Sequence, residues 1–324
     1  MTLTRIDRWM DGLTANDPCT NVYGVARTLI AASTLLTFVF TDTDVLFRPA
    51  LGIDTIPICN GLAGRISLFC LLSGHLDVAR GIVIVLLATV ASGWRPRLTG
   101  IIHWWISFSF MSSAILVDGG DQVCAVIALL LVPVTLMDRR RWHWSKPDPI
   151  DDSLGESSRR LVALTALTVI RIQVAIIYLH AAVAKCAVAE WMNGTALYYW
   201  FTDPMFGAPN WLGPFLMPAL VHGPSVTILT WSVIVLEFSL FAGLLARDEY
   251  RHALLIAGIL FHVGIALIHG LVSFSLTMFG ALILLLRPFR LEFSLGRWQA
   301  PAFLRDAMTS RRAGPVTAAT DPAA

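Results

Sequence analysis

The residues of this chain best suited to chemistry gather at the end of one apolar run. The segment Arg171-IQVAIIYLHAAVAKCAVAEWMNG-Thr195 carries Lys185 near the far end of a hydrophobic stretch that begins at Leu161. A charge inside a lipid-spanning helix costs about 2.5 kcal/mol or more, so such residues pair, line a cavity or do chemistry. Tyr178, His180, Glu190, Trp191 and Asn193 crowd the same end, and Gly194 then breaks the helix. Arg171, Tyr178 and Lys185 are spaced by seven, two turns per step, and form one stripe that drifts about 20° per step. Tyr178, Ala181, Ala182 and Lys185 follow the i, i+3, i+4, i+7 pattern, and small residues on such a stripe let another helix approach closely. The stripe therefore faces protein. A desolvated lysine loses its preference for the charged form and can take a proton; Glu190 works against this. The structural alternative is a lysine whose ammonium snorkels into the headgroups. Lys185, His180, Glu190, Tyr178 and Asp121, from the acidic turn Asp118-Gly-Gly-Asp121, are the candidate catalytic set around an outward-facing pocket.

Other polar residues divide by depth. At about 1.5 Å per residue, Arg171 lies roughly 21 Å to the cytoplasmic side of Lys185, which puts Lys185 near the outer interface and Arg171 near mid-membrane. Glu237, in TWSVIVLEFSLFAG, sits roughly 16 Å into its own span by the same rise. Opposite sign at similar depth predicts a structural ion pair, Arg171–Glu237. His262 and His269 are seven apart, too far to share a metal comfortably, and read as hydrogen-bonded pocket histidines; no metal site is expected. His103 reads as interfacial beside Trp104 and Trp105, and His75 and His143 as solvated loop residues. The five cysteines (Cys19, Cys59, Cys70, Cys124, Cys186) show no CxxC and no zinc spacing. They read as small buried hydrophobes, with a thiol role for Cys59 and Cys124 as the alternative.

The elements that position these residues are apolar helices. Of the 324 residues, 56% are hydrophobic and only 14% charged, against about 25% charged in a soluble domain. Several runs of roughly 17–20 residues match a hydrocarbon core of ~30 Å. The fold class is all-α, a polytopic transmembrane bundle of about eight spans plus one interfacial helix. The spans cover about 24–40, 76–94, 98–117, 122–137, 161–189, 226–246 and a stretch, 253–287, that splits near Gly270 into two. Residues 62–74 are apolar but short and read as interfacial or re-entrant.

Basic termini and the basic loops at 95–97, 138–160 and 247–252 alternate with acidic or neutral loops at 41–61, 118–121, 190–225 and 270–273. Cytoplasmic loops hold the positive excess, so eight spans put both termini in the cytoplasm of a multi-pass protein of the cell membrane. The expected organisation is a polar N-terminal segment 1–23, one membrane domain 24–290 and a cytoplasmic tail 291–324 whose end has a disordered composition. The polar N-terminus MTLTRIDRWMDG shows no cleavable signal peptide. A net charge of +2 with no basic–aromatic repeat gives no reason to expect nucleic acid. The lipid bilayer is the expected surrounding.

At NVYGVARTLIAASTLLTFVF, IYLHAAVAKCAVAEWMNGTALYYW and FHVGIALIHGLVSFSLTMFGALILLLRP, the chain resembles the HTTM membrane domains related to vitamin K-dependent gamma-carboxylase. Within that group it looks most like the bacterial sporulation-delaying protein B subfamily. The resemblance implies that Lys185 matches the carboxylase lysine that deprotonates reduced vitamin K, so a quinone is the implied cofactor of an enzymatic reading. The stretch matching the carboxylase histidine reads Gly119-Gly120-Asp121-Gln122, and only a short tail stands where the carboxylase has its large lumenal domain. The subfamily resemblance implies a maturation factor that acts with a small partner protein on the precursor of a secreted, toxin-like peptide. A non-enzymatic scaffold or transporter is the third reading.

Overall fold

The computed structural model describes residues 12, 14–49, 52, 56–147 and 153–294. The expectations for most of the N-terminal segment and nearly all of the tail fall outside them. Two compact units are present, Met1–Glu292 and Phe293–Ala324, and every helix below belongs to the first. No strand occurs among the described residues, whose only β-type contact is a single bridge between Trp94 and Trp142.

The helices are α1 (Asn21–Phe40), α2 (Thr43–Leu46), α3 (Gly61–Ile66), α4 (Leu68–Leu71), α5 (Leu76–Ala91), α6 (Pro96–Ser113), α7 (Gly119–Met137), α8 (Leu154–Cys186), α9 (Ala189–Met192), α10 (Ala196–Thr202), α11 (Gly213–Val221), α12 (Gly223–Ala242), α13 (Asp248–His269) and α14 (Val272–Leu286). Five of them, α1, α7, α8, α12 and α13, are long and apolar enough to cross a membrane. Three more, α5, α6 and α14, are shorter or less apolar. The protein is thus an all-helical membrane bundle. The apolar stretch 253–287 divides where a glycine permits it: Gly270 closes α13 with φ of 69°, in the left-handed region that costs glycine least.

The helix ends show why the sequence stops where it does. Thr20 caps α1 by accepting from the Val22 N–H. Asp118 and Asp121 form a reciprocal capping box at α7, each side chain satisfying the other's backbone N–H. Residues 62–74 are not one interfacial helix. Ser67 separates α3 from α4 and is itself buried, bonded to the Ser113 hydroxyl. Phe69 enters a core cluster with Phe38, Phe47 and Phe110. Cys59 and Cys70 clamp this segment with a disulfide, which removes Cys59 from any free-thiol role. Cys124 stays reduced and buried, beside Thr34 and Ser107.

Helices α1 and α14, the first and last of those named, pack on each other. Gly280 of α14 lies so close to α1 that a Cβ there would sit 2.5 Å from Ile30 Cγ1 and 2.8 Å from the Ala26 carbonyl. Thr277 donates to Ser33 in the same seam, at 2.7 Å.

The basic end of the bundle is tied by a polar network that local sequence did not reveal. Arg140 grips Asp138 at 2.9 and 2.8 Å, and the Tyr23 hydroxyl donates to the same carboxylate. Burial pulls the Arg140 guanidinium down, but the Asp138 hydrogen bonds and charge outweigh it and hold it above its ordinary range. His143 is fully buried rather than solvated, because its backbone N–H reaches the Gly93 carbonyl and folds the loop back into the bundle. Arg27, also fully buried, donates to Thr99 at 2.6 Å and faces His143 Nδ1 at 3.5 Å. Burial, and then the charges of Arg27 and Arg140, hold His143 well below the usual imidazole range. His103 is likewise buried, 4.0 Å from the Cys124 sulfur, not interfacial.

Candidate functional site

Three helices bring four ionisable side chains into two hydrogen-bonded pairs. Lys185, in the last turn of α8, donates to Glu237 Oε1 of α12 at 2.8 Å. Tyr178, two turns back on α8, shares a hydrogen bond of 3.0 Å with His262 Nε2 of α13. Helical side chains lean toward the N-terminus of their own helix. The Lys185 ammonium accordingly also lies 3.5 Å from the Ala181 carbonyl, one turn back toward Tyr178. Its charge stands 5.2 Å from the centre of the Trp191 ring, within cation–π range.

The pairs differ in exposure. The Glu237 side chain is 6% exposed and that of Lys185 22%, so only the lysine end opens outward from the protein. Tyr178 and His262 are both buried. The His262 ring is packed between Phe261 and Phe274, and its backbone carbonyl accepts from Ser275. Glu237 Oε2 and His262 Nδ1 are buried atoms with no hydrogen-bond partner in the protein. Such atoms cost about 1–3 kcal/mol each when left dry, which makes the cluster a place where a further polar group is stabilised.

Glu237 therefore pairs with Lys185, and the expected Arg171–Glu237 pair is corrected. The Arg171 guanidinium donates to the Leu285 carbonyl at 3.0 Å, near the end of α14, and shares the field of Asp248 and Arg251 at the start of α13. The reason is length. Helix α8 has 33 residues, roughly 50 Å at the helical rise, and overshoots the basic end of its neighbours. Arg171 is therefore level with their basic ends, and Lys185, not Arg171, reaches the depth of Glu237.

The remaining candidates lie elsewhere. His180 and Glu190 are exposed. Asp121 is buried but occupied in its capping box; Gly120 beside it presses on Phe274, which in turn packs on His262. His269 does not join His262: its Nδ1 lies 2.6 Å from the Phe206 carbonyl, under Trp200 and Phe201. His262 was visible in the sequence as a pocket residue, but its pairing with Tyr178 needs the register of two helices that no spacing supplies.

Residues 82–289 match the HTTM domain description. The chain is 40% identical to the uncharacterized protein YitO of Bacillus subtilis over 287 residues, 87% of this chain and 89% of that one. It is 37% identical to sporulation-delaying protein SdpB of the same organism over 292 residues, covering 89% and 87% of the two chains. No solved structure matches it. The helical bundle and these matches agree with the sequence resemblance: the chain belongs to the HTTM domain family, in the SdpB-like group.

Proposed function

We propose that this protein is a cell-membrane factor, with both termini cytoplasmic, that supports production of a secreted peptide together with a partner protein. Likeness to the sporulation-delaying protein SdpB along nearly the whole chain is the observation that carries this reading. The Cys59–Cys70 disulfide supports the orientation, because disulfides persist outside the reducing cytoplasm and this one lies at the end opposite the basic loops. The Lys185–Glu237 pair is the working centre. A buried carboxylate holds an ammonium that is still partly open and still has an N–H to offer a substrate carbonyl.

The same geometry favours an enzymatic variant in which Lys185 is a base. Lys185 reaches that role only by first passing a proton to Glu237, 2.8 Å away, which then holds it. The residues fit a quinol-type ligand, which when bound would supply an acidic hydroxyl; the Lys185 amine, neutral after its proton has gone to Glu237, would accept the hydroxyl proton, and the Trp191 ring offers an apolar face beside it.

The test is to delete the gene in its own host and compare secreted peptides by mass spectrometry. A peptide should disappear on deletion and return with the wild-type chain but not with Lys185→Ala. Undiminished product from a normally expressed Lys185→Ala variant would refute the Lys185 centre, and an unchanged secreted-peptide profile on deletion would refute the production role.

A further inference from the structure

Helix α8 does not run to the end of its neighbour. It stops at Cys186, one residue past Lys185, where the Ala187 N–H turns back to the Ala184 and Lys185 carbonyls. The chain then makes the four-residue α9 and reaches Gly194, which abuts Thr227 of α12: a Cβ at Gly194 would lie 2.7 Å from Thr227 Cγ2. Helix α12 has 20 residues, about 30 Å, which is the thickness of a hydrocarbon core. Along it, Thr227 lies roughly 6 Å from the Gly223 end and Glu237 roughly 21 Å. In a bilayer that α12 spans from end to end, the interrupted segment 186–194 climbs through the hydrocarbon layer between those two levels.

Broken backbone at membrane depth is tolerated only where protein buries it or water reaches it. Here protein does not bury it. Cys186, Ala187, Val188, Ala189, Glu190, Met192 and Asn193 are all exposed, and a carboxylate and an amide at this depth do not face acyl chains. At the foot of the segment lie the partly exposed Lys185 ammonium and the unpartnered Glu237 Oε2.

We infer that the interruption of α8 lines a water-filled recess that opens at the outer face and ends at Lys185 and Glu237. The recess admits the polar end of a substrate, a hydrogen-bonding group such as a peptide amide or a hydroxyl, from outside the cell. This deepens the proposed function and rests on the orientation assigned there.

The wild-type chain carries its own probe. Cys19 and Cys124 are buried and Cys59 is bonded to Cys70, so among the described residues Cys186 is the exposed free thiol. Intact cells are treated with a charged, membrane-impermeant methanethiosulfonate, and modification of Cys186 is read by mass spectrometry. The recess predicts modification comparable with that in detergent, lost in Cys186→Ser and regained with Glu190→Cys in that background. Reaction with permeant N-ethylmaleimide alone would overturn the recess, since lipid or protein would then cover the segment. Reaction with the charged reagent only in inside-out vesicles would overturn the orientation as well. Neither result depends on whether a secreted peptide is made, so the recess and the production role fail separately.

Discussion

Removing one partner of the Lys185–Glu237 pair should destabilise the protein far more than removing both. Lys185→Met leaves the Glu237 carboxylate alone in a site where its side chain is 6% exposed and Oε2 already has no partner. Stranding a buried charge costs about 3–5 kcal/mol, and this end of the pair belongs at the upper part of that range. Glu237→Gln strands the lysine instead, whose 22% exposure and neighbouring Trp191 ring relieve it; about 2 kcal/mol is expected, below that range. The double variant Lys185→Met/Glu237→Gln carries no net buried charge and should return to within ~1 kcal/mol of wild type, as replaced buried pairs often do. The coupling energy is then several kcal/mol, against a few tenths for independent sites. Thermal unfolding of purified protein in nanodiscs, followed by tryptophan fluorescence, measures it: at about 2 °C per kcal/mol for a large chain, Lys185→Met should melt roughly 8 °C early. The Arg171→Met/Glu237→Gln cycle is the control, because Arg171 bonds a backbone carbonyl of α14 and not this carboxylate. Additive losses in the Lys185 cycle, or strong coupling in the Arg171 cycle, would refute the pairing.

Two further perturbations probe the scaffold. His143 is held neutral, with a folded-state affinity for protons below its unfolded one; its stability contribution is complete above the ordinary value of about 6.5 and is lost as pH falls below it, by up to about 1.4 kcal/mol per unit. The melting temperature should therefore fall on acidification through pH 6, and His143→Gln should flatten that dependence; an unchanged slope in the variant assigns the effect to other groups. Gly280→Leu forces a side chain into the Ile30 and Ala26 contact and should cost at least about 1–3 kcal/mol. Gly81→Ala, where a Cβ meets nothing within 4 Å, should leave the melt unchanged, and equal behaviour of the two would deny the close α1–α14 seam.

Apolar period and length made the bundle readable, and small residues on the Tyr178–Lys185 stripe marked the face that α12 covers and that His262 of α13 reaches. Charge partners were not readable, because depth was counted along each helix as though every outer end met the same plane. A 33-residue helix that stops short of α12's outer end defeats that assumption, and side chains leaning toward their N-termini close the remaining gap between Lys185 and Glu237. The Cys59–Cys70 pairing and the burial of His143 depend on loops folding back onto the bundle, and local composition carries no trace of either.

The α1–α14 seam has a consequence for how the chain is made. Synthesis delivers α1 to the bilayer well before α14, so twelve intervening helices of the described residues separate Ser33 from its donor Thr277. Arg27 waits as well, until α6 brings Thr99. Until α14 is made, α1 keeps one polar-studded flank without its partner. The α1–α14 seam can therefore close only after every helix between the two has been made.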